Sequence, residues 1–259
     1  MKKITISKIL NKKNKIPITC LTSYSVNIAK IVNKYCDIIL VGDSLGMVLY
    51  GMKSTRDVKI QTMIEHAIAV KKVANRSLVV FDMPYNTYKN KFMAYKNAKF
   101  VLNSTKCDAV KLEGGSEIKN IINYLTKKGI SVMGHIGLLP QTSKKFKVKG
   151  KNKLEENKIL NDAHEICNAG AFAIIIECVV KKLSKKITKE VQIPTIGIGA
   201  SKFCDGQILV SDDLLGLSDF YPKFVKRYAN LNKIIERSVK QYTKDVKSRM
   251  FPLYKNTYK

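Results

Sequence analysis

A strand–helix–strand pattern lies in residues 109–135, AVKLEGGSEIKNIINYLTKKGISVMGH. Its two ends, residues 109–113 and 131–135, are short and mostly apolar, as is typical of parallel strands covered on both faces. Between them, Ser116 is placed to cap a helix and Gly129 to end it. The apolar residues of this middle stretch recur at the spacing of one helix face: Ile118, Ile121, Ile122 and Leu125. The segment therefore predicts one β-α-β unit of a parallel sheet.

The same alternation extends over the chain. Eight candidate strands occur, at residues 18–22, 38–42, 78–83, 109–113, 131–135, 173–178, 194–199 and 207–210. Helical patterns lie between most of them, for example around residues 94–102 and 159–167, and a long final helix begins near Leu231. Eight βα units in 259 residues predict an α/β fold, a single (β/α)8 TIM barrel that forms one catalytic domain over residues 1–259. An open doubly wound sheet is the alternative, because a strand pattern does not show closure.

The chain is strongly basic, with 47 Lys and Arg against 20 Asp and Glu and a formal net charge of +27. Only five of the basic residues are Arg, the side chain preferred for bidentate recognition of bases and phosphates. The lysines are spread over the whole length, and a diffuse positive field supports only weak, salt-sensitive association. We therefore predict no nucleic-acid partner and interpret the lysine excess as a solvated surface.

Composition also bears on the compartment. Hydrophobic residues make up 45% of the chain, which excludes a disordered protein. No apolar run reaches the roughly 18 residues that cross a bilayer, so we predict no membrane partner. Six cysteines without a C-x-x-C pair indicate buried thiols in a reducing compartment. The first ten residues lack the apolar segment of a signal peptide, so we predict a cytoplasmic protein.

Charged residues stand at the ends of five successive candidate strands. They are Asp43, Asp82, Lys111 with Glu113, His135 and Glu177. In a (β/α)8 barrel the carboxyl ends of the strands form the active face. A single charged residue at a strand end often marks only the point where the chain reaches water, but five in register favour a shared site. Lys111 and Glu113 lie on the same side of their strand because successive side chains alternate.

Carboxylates beside a lysine favour a hard divalent cation. Zinc is the weaker alternative, since the chain has three histidines and none is spaced as a ligand pair. Mg²⁺ takes one or two carboxylates and leaves positions for substrate oxygens. We expect Asp43 and Asp82 as ligands, with Glu113 binding directly or through water. Such a site suits an α-keto acid whose enolate the metal stabilises, with Glu177 as the base.

The G-x-S-x-G motif of serine hydrolases also occurs, at residues 42–46, with Ser44 as the nucleophile. That motif must lead directly into a helix, whereas residues 46–51 favour a loop or extended chain. A hydrolase would also leave the other charged strand ends unexplained, so a serine hydrolase is a remote alternative. His66 and His164 lie within helical patterns and are expected to be structural.

Seven motifs together resemble the ketopantoate (3-methyl-2-oxobutanoate) hydroxymethyltransferase family, in the family's order, between about residues 15 and 252. They are VGDSLGM (41–47), DMP (82–84), VKLEGG (110–115), GHIGL (134–138), IEC (176–178), PTIGIGA (194–200) and DGQILV (205–210). Residues 142–149 and 251–255 depart from the family pattern.

The resemblance implies a (β/α)8 barrel that assembles as a homodecamer and acts in pantothenate and coenzyme A biosynthesis. It implies transfer of a hydroxymethyl group from 5,10-methylenetetrahydrofolate to 3-methyl-2-oxobutanoate, with one Mg²⁺ per subunit. By position, the metal residues would be Asp43, Asp82 and Glu113. The substrate-binding residues would be Asp43, Ser44, Asp82, Lys111 and His135, and Glu177 would be the catalytic proton acceptor. A folate-independent Mg²⁺-enolate lyase or mutase acting on α-keto acids is the alternative.

Overall fold

A computed structural model of the chain describes residues 2–143, 146–218 and 221–258. Within these residues all eight predicted strands are present, and they close into a parallel barrel in which the last strand pairs with the first. The closure confirms the (β/α)8 barrel and excludes the open sheet. The strands are β1 Ile18–Thr22, β2 Ile38–Val41, β3 Leu78–Asp82, β4 Ala109–Glu113, β5 Val132–Gly137, β6 Ala173–Glu177, β7 Thr195–Ile198 and β8 Gly206–Leu209.

The predicted strand bounds differ from the observed ones by at most two residues. The largest difference is at β5, which runs to Gly137 rather than ending at residue 135. Its pairing with β6 continues to the register pair Gly137 and Glu177. The hydrogen bonds of a neighbouring strand therefore set this end. Two residues of the departing segment 142–149, Lys144 and Lys145, lie outside the described residues.

In the described ranges, a helix follows each strand except β7, which leads to β8 without one. The amphipathic patterns around residues 94–102 and 159–167 became α5 and α7. The described helices are α1 Ile6–Leu10, α2 Val26–Tyr35, α3 Leu45–Val48, α4 Ile60–Lys71, α5 Lys91–Thr105, α6 Lys119–Lys127, α7 Lys153–Asn168, α8 Lys181–Glu190, α9 Ser211–Leu215 and α10 Leu231–Lys247. Gly129 follows α6 with φ +80°, as expected for a helix end. The prediction that Ser116 caps α6 is wrong. Ser116 begins a short 3-10 turn, and Asp162 of α7 accepts its backbone N–H at 2.9 Å.

The core has two layers, one inside the barrel and one between the strands and the helices. Inside the barrel, alternate strand residues such as Leu78 and Val80 pack together with Ile4 and Ile9 of the amino-terminal segment. Side chains alternate along a strand, so Asp82 lies on the same inward side as Leu78 and Val80. The inward side of a strand such as β3 thus changes from apolar to charged at its last residue, which makes the carboxyl end of the barrel interior polar.

Three aspartates, here called the amino-end aspartates, directly precede even-numbered strands: Asp37, Asp108 and Asp205. Each accepts a backbone N–H near the start of the neighbouring odd-numbered strand. The donors are Thr19, Val79 and Thr195, at 3.0, 2.9 and 2.8 Å respectively. Each aspartate also pairs with lysine: Asp37 with Lys12, Asp108 with Lys3 and Lys71, and Asp205 with Lys13. At this end of the barrel, ion pairs and backbone hydrogen bonds thus join the strands and the amino-terminal segment.

The chain divides into two compact units, Met1–Val210 and Ser211–Lys259. The first contains the complete barrel. The second contains α9 and α10, and within it the rings of Tyr242 and Phe251 meet edge to face at 5.7 Å. One catalytic domain over residues 1–259 stays a prediction. In the described part of the chain, no helix has the length and apolarity needed to cross a membrane.

Candidate active site

The charged strand ends predicted from the sequence meet at the carboxyl end of the barrel. Register pairs place Asp82 beside Lys111 and Glu113 beside His135. Asp43 follows β2 directly, and its backbone N–H donates to Asp82 Oδ2 at 3.3 Å. The first five of the six residues are buried, while Glu177 is partly exposed. One continuous cluster, here called the carboxyl-end cluster, is formed by Asp43, Asp82, Lys111, Glu113, His135 and Glu177.

Lys111 is the cationic centre of this cluster. Its Nζ lies 2.7 Å from Asp82 Oδ1 and 3.3 Å from Glu113 Oε1. Burial alone would lower the pKa of Lys111, but Asp82, Glu113 and Asp43 outweigh it and raise the pKa above its ordinary value. Burial would raise the pKa of Glu113, but Lys111 and His135 outweigh it and lower this pKa to about 2. Lys111 and Glu113 are therefore both charged at neutral pH.

His135 lies between two carboxylates. Its Nδ1 is 3.4 Å from Glu113 Oε1 and its Nε2 is 3.3 Å from Glu177 Oε2. These are ion-pair distances, and neither ring nitrogen makes a hydrogen bond of ordinary geometry with a described residue. Burial and Lys111 lower the pKa of His135, but Glu113 and Glu177 outweigh them and raise it to about 9. Without ligands the ring is therefore an imidazolium that links Glu113 to Glu177.

Asp43 and Asp82 carry an unfavourable concentration of negative charge. Burial first, and then Asp82, raises the pKa of Asp43 well above its ordinary value. Burial also raises the pKa of Asp82, against the opposing effect of Lys111. A cation bound between two such carboxylates would remove both the desolvation cost and the repulsion. The donor set thus fits a hard divalent cation held by oxygen ligands.

Glu113 differs from the two aspartates, because both of its oxygens are engaged. Its Oε1 faces Lys111 and His135, and its Oε2 accepts the backbone N–H of Gln141 at 3.0 Å. Among the described residues, no group of three or more His, Cys, Asp or Glu side chains is arranged to hold a metal ion. Two carboxylates with the remaining positions left to water and substrate are the usual Mg²⁺ arrangement. Asp43 and Asp82 are therefore the residues that could hold such an ion directly, and Glu113 could associate with it through water.

Ser44 does not have the surroundings of a hydrolase nucleophile. Its Oγ is 2.9 Å from the hydroxyl of Tyr24, and its backbone is ordinary helical, with φ −54° and ψ −18°. The expectation that residues 46–51 form a loop or extended chain is wrong in part, because α3 begins directly after Ser44. The two histidines outside the cluster have other partners than Ser44. His66 contacts the Tyr24 carbonyl and the Tyr50 hydroxyl, and His164 contacts Glu190.

Gly137 allows β5 and β6 to approach each other beside the cluster. It has φ +93°, and a Cβ at this position would lie 2.4 Å from the carbonyl oxygen of Glu177. The next residue, Leu138, donates its N–H to that same oxygen at 2.9 Å. The backbone of Glu177 is therefore held by the end of β5, and only glycine fits there without strain.

Sequence reasoning missed two residues of this site, Gln141 and Tyr88. Gln141 is fully buried and contacts Asp43 and Glu113, and Tyr88 donates its hydroxyl to Gln141 Oε1 at 2.5 Å. The only signal for Gln141 was a polar residue directly after the apolar run that follows His135. Tyr88 carried no signal, because nothing in the sequence distinguishes it from the other tyrosines.

Comparisons with known proteins find relatives over almost the whole chain. A family model described as "Ketopantoate hydroxymethyltransferase" matches residues 3–254. A 3-methyl-2-oxobutanoate hydroxymethyltransferase of Pelagibacter ubique is 51% identical over 254 residues, covering 97% of this chain and 99% of that protein. A Rhizobium etli protein of the same name is 49% identical over 263 aligned residues, covering 100% of this chain and 96% of that protein.

Solved structures share the fold at low identity. A 2,3-dimethylmalate lyase, described as a PEP mutase/isocitrate lyase superfamily member, superposes with a TM-score of 0.63 at 12% identity, covering 98% of this chain and 92% of that chain. A phosphonopyruvate hydrolase gives a TM-score of 0.66 at 10% identity, covering 100% of this chain and 92% of that chain. At these identities the likeness shows the barrel and does not extend to the reaction.

Proposed function

Because the chain belongs to the ketopantoate hydroxymethyltransferase family, we propose that it forms ketopantoate from 3-methyl-2-oxobutanoate, with 5,10-methylenetetrahydrofolate as the hydroxymethyl donor. This reaction serves pantothenate and coenzyme A biosynthesis. The observation that carries the proposal is the buried carboxyl-end cluster, in which Lys111 and His135 connect Asp82, Glu113 and Glu177. Within the family, full-length identity of about half the residues supports the hydroxymethyltransferase over a folate-independent lyase or mutase.

Asp43 and Asp82 are the proposed Mg²⁺ ligands, and Glu113 is associated with the ion through water. Support comes from the burial and raised pKa values of the two aspartates. When bound, the ion supplies a positive charge that stabilises the enolate of the keto acid. The chain contributes a low-dielectric cluster, in which such charges interact more strongly than in water.

Lys111 and Ser44 are the proposed contacts for the keto acid, together with Asp43, Asp82 and His135. The ammonium group of Lys111 is buried beside the proposed ligands and stays charged, so it is suited to an anionic substrate. Ser44 follows Asp43 directly in the chain, and its hydroxyl is oriented by a hydrogen bond with the hydroxyl of Tyr24. These groups would orient the substrate so that C3 faces Glu177.

Glu177 is the proposed proton acceptor. Its side chain is partly accessible, 14% exposed, and lies beside His135. In the proposed step the C3–H bond breaks, the proton passes to the Glu177 carboxylate, and the electron pair forms the enolate. The enolate carbon then bonds to the folate methylene carbon, whose two carbon–nitrogen bonds break. Water supplies the hydroxyl group, and its other proton and the proton from Glu177 end on the folate nitrogens.

Assembly and location belong to the same proposal. Family membership supports a homodecamer that works in the cytoplasm, with one Mg²⁺ per subunit.

The test is exchange of the C3 hydrogen of 3-methyl-2-oxobutanoate in D₂O, followed by NMR with enzyme and Mg²⁺ but without folate. We expect exchange by the native protein and a loss of about 10²–10⁴-fold in Glu177→Gln, the usual contribution of a general base. Glu190→Gln is the matched control. Glu190 also contacts a histidine, His164 at 3.1 Å, but lies on the surface, so exchange should be unchanged.

Exchange without a divalent cation, or full exchange in Glu177→Gln, would overturn this mechanism. Adding 5,10-methylenetetrahydrofolate then tests the transfer itself. Formation of ketopantoate supports the hydroxymethyltransferase. Exchange without transfer would instead support the folate-independent alternative.

A further inference from the structure

Gln141 lies in the loop after β5, fully buried, and touches the carboxyl-end cluster through both its side chain and its backbone. We propose that Gln141 is a positioning residue that orients Asp43 and Glu113 for a divalent cation. The inference rests on the proposed function, since it takes Asp43 as a ligand. It adds a residue that touches neither cation nor substrate and acts through the two carboxylates.

The side-chain amide of Gln141 has one possible orientation. Its Nε2 donates to Asp43 Oδ2 at 2.8 Å and to the carbonyl oxygen of Met83 at 3.0 Å. Its Oε1 accepts the hydroxyl of Tyr88 at 2.5 Å. Both amide protons are thus used on acceptors and the carbonyl on a donor, so a flipped amide would lose all three bonds. Gln141 therefore presents a fixed N–H to Asp43.

The backbone of Gln141 acts on a second carboxylate. Its N–H donates to Glu113 Oε2 at 3.0 Å, which leaves Glu113 Oε1 facing Lys111 and His135. Tyr88 also contacts the backbone of Glu113, at 3.3 Å to both its N–H and its carbonyl oxygen. One buried residue therefore joins the ends of β2, β3 and β4 to the loop after β5.

Orientation of a ligand carboxylate by a neighbouring donor is a known determinant of metal affinity. Loss of such a partner weakens metal binding by about 10- to 100-fold. The hydrogen bond to Asp43 is also charge-assisted and buried, and such bonds are about twice as strong as bonds between neutral groups. The cost of removing Gln141 should therefore appear in cation binding.

The experiment measures Mg²⁺ binding by calorimetry and Mn²⁺ binding by electron paramagnetic resonance, together with thermal unfolding of each variant. Gln141→Met keeps the approximate shape of the side chain and the backbone N–H. We expect it to weaken the binding of both cations by about 10- to 100-fold. Gln141→Glu should weaken cation binding further, because a carboxylate oxygen would then face two other acceptors, Asp43 and the Met83 carbonyl. Gln207→Met is the matched control. Gln207 lies on β8, and its side-chain amide donates to the Ser201 carbonyl oxygen at 2.9 Å. This bond does not involve the proposed ligands, so cation affinity should stay unchanged.

Tyr88→Phe keeps the proposal testable if the Gln141 variants do not fold. It removes only the hydroxyl that fixes the amide, and we expect a smaller loss of cation affinity, within about tenfold. In folded variants, activity should return at high Mg²⁺ concentration, a rescue that a purely structural role would not give.

Native cation affinity in folded Gln141→Met and in Tyr88→Phe would overturn the inference while the proposed function stands. Absence of cation binding by the native protein would overturn both.

Discussion

Both ends of the barrel carry buried or half-buried carboxylates beside lysine, but the carboxylates are neutralised to different degrees at the two ends. At the amino end, each of Asp37, Asp108 and Asp205 has a backbone N–H donor and a lysine of its own. At the carboxyl end, the three carboxylates of Asp82, Glu113 and Glu177 share Lys111 and His135. The pKa of Asp108 is accordingly lowered, whereas that of Asp43 is raised. Neutralised charges stabilise the fold, and unneutralised ones are left for a ligand.

Asp43→Asn should give the largest effect on activity with no loss of stability. The amide removes one negative charge from a buried, repulsive pair, so the free energy of unfolding without metal should stay equal or rise. Loss of a ligand should lower kcat/KM by about 10³-fold, since a bound cation supplies several kcal/mol at the transition state. Steady-state kinetics and urea unfolding check this. Unfolding at clearly lower urea would contradict the contrast between the two ends.

Asp205→Ala should give the reverse pattern. Asp205 accepts N–H groups from Thr195 and Asn14, both at 2.8 Å, and pairs with Lys13 at 2.8 Å. Removing it leaves the N–H of the fully buried Thr195 unsatisfied and Lys13 without its carboxylate partner, which should lower the free energy of unfolding by about 3 kcal/mol. The kcat of the folded enzyme should change less than twofold. Asp57→Ala, at an exposed aspartate, is the control and should leave the urea midpoint in place.

Asp108 should make the stability of the barrel depend on acid. Burial would raise its pKa, but hydrogen bonds from Lys3, Lys71 and the Val79 N–H lower it. The unfolded chain, with an aspartate pKa of about 3.9, therefore binds the proton first as the pH falls. The stabilisation is full above about pH 4 and disappears as the pH falls through the folded-state pKa. At pH 7 the free energy of unfolding of the native protein should exceed that of Asp108→Asn by about 1.5 kcal/mol. The two values should converge in acid, as measured by urea unfolding across pH.

Lys3→Ala should give the smallest effect. The Lys3 side chain is 50% exposed, whereas that of Lys71, the other partner of Asp108, is 15% exposed. Exposed ion pairs contribute about 0–1 kcal/mol, so thermal unfolding should shift less in Lys3→Ala than in Lys71→Ala. An equal or larger shift in Lys3→Ala would show that the amino end depends on its outer lysines.

Much of the site followed from the sequence because strand ends and side-chain alternation are local properties. Lys111 and Glu113, two residues apart, had to share one side of a strand, and a shared edge gathered Asp43, Asp82 and His135. The short helix after Ser44 was not predicted, because an apolar stretch of a few residues does not distinguish helix from extended chain. The capping of the turn at Ser116 by Asp162 was missed as well, since the acceptor lies on another helix.

By itself, the sequence determined the number and order of the strands, the family, and the charged residues that face one end of the barrel. These depend on periodicity and on motifs a few residues long. Only the tertiary structure decided that the sheet closes, that Glu113 has both oxygens engaged, and that Gln141 reaches Asp43 across 98 positions of the chain. Such contacts depend on how distant strand ends and loops pack together, and no local pattern encodes that distance.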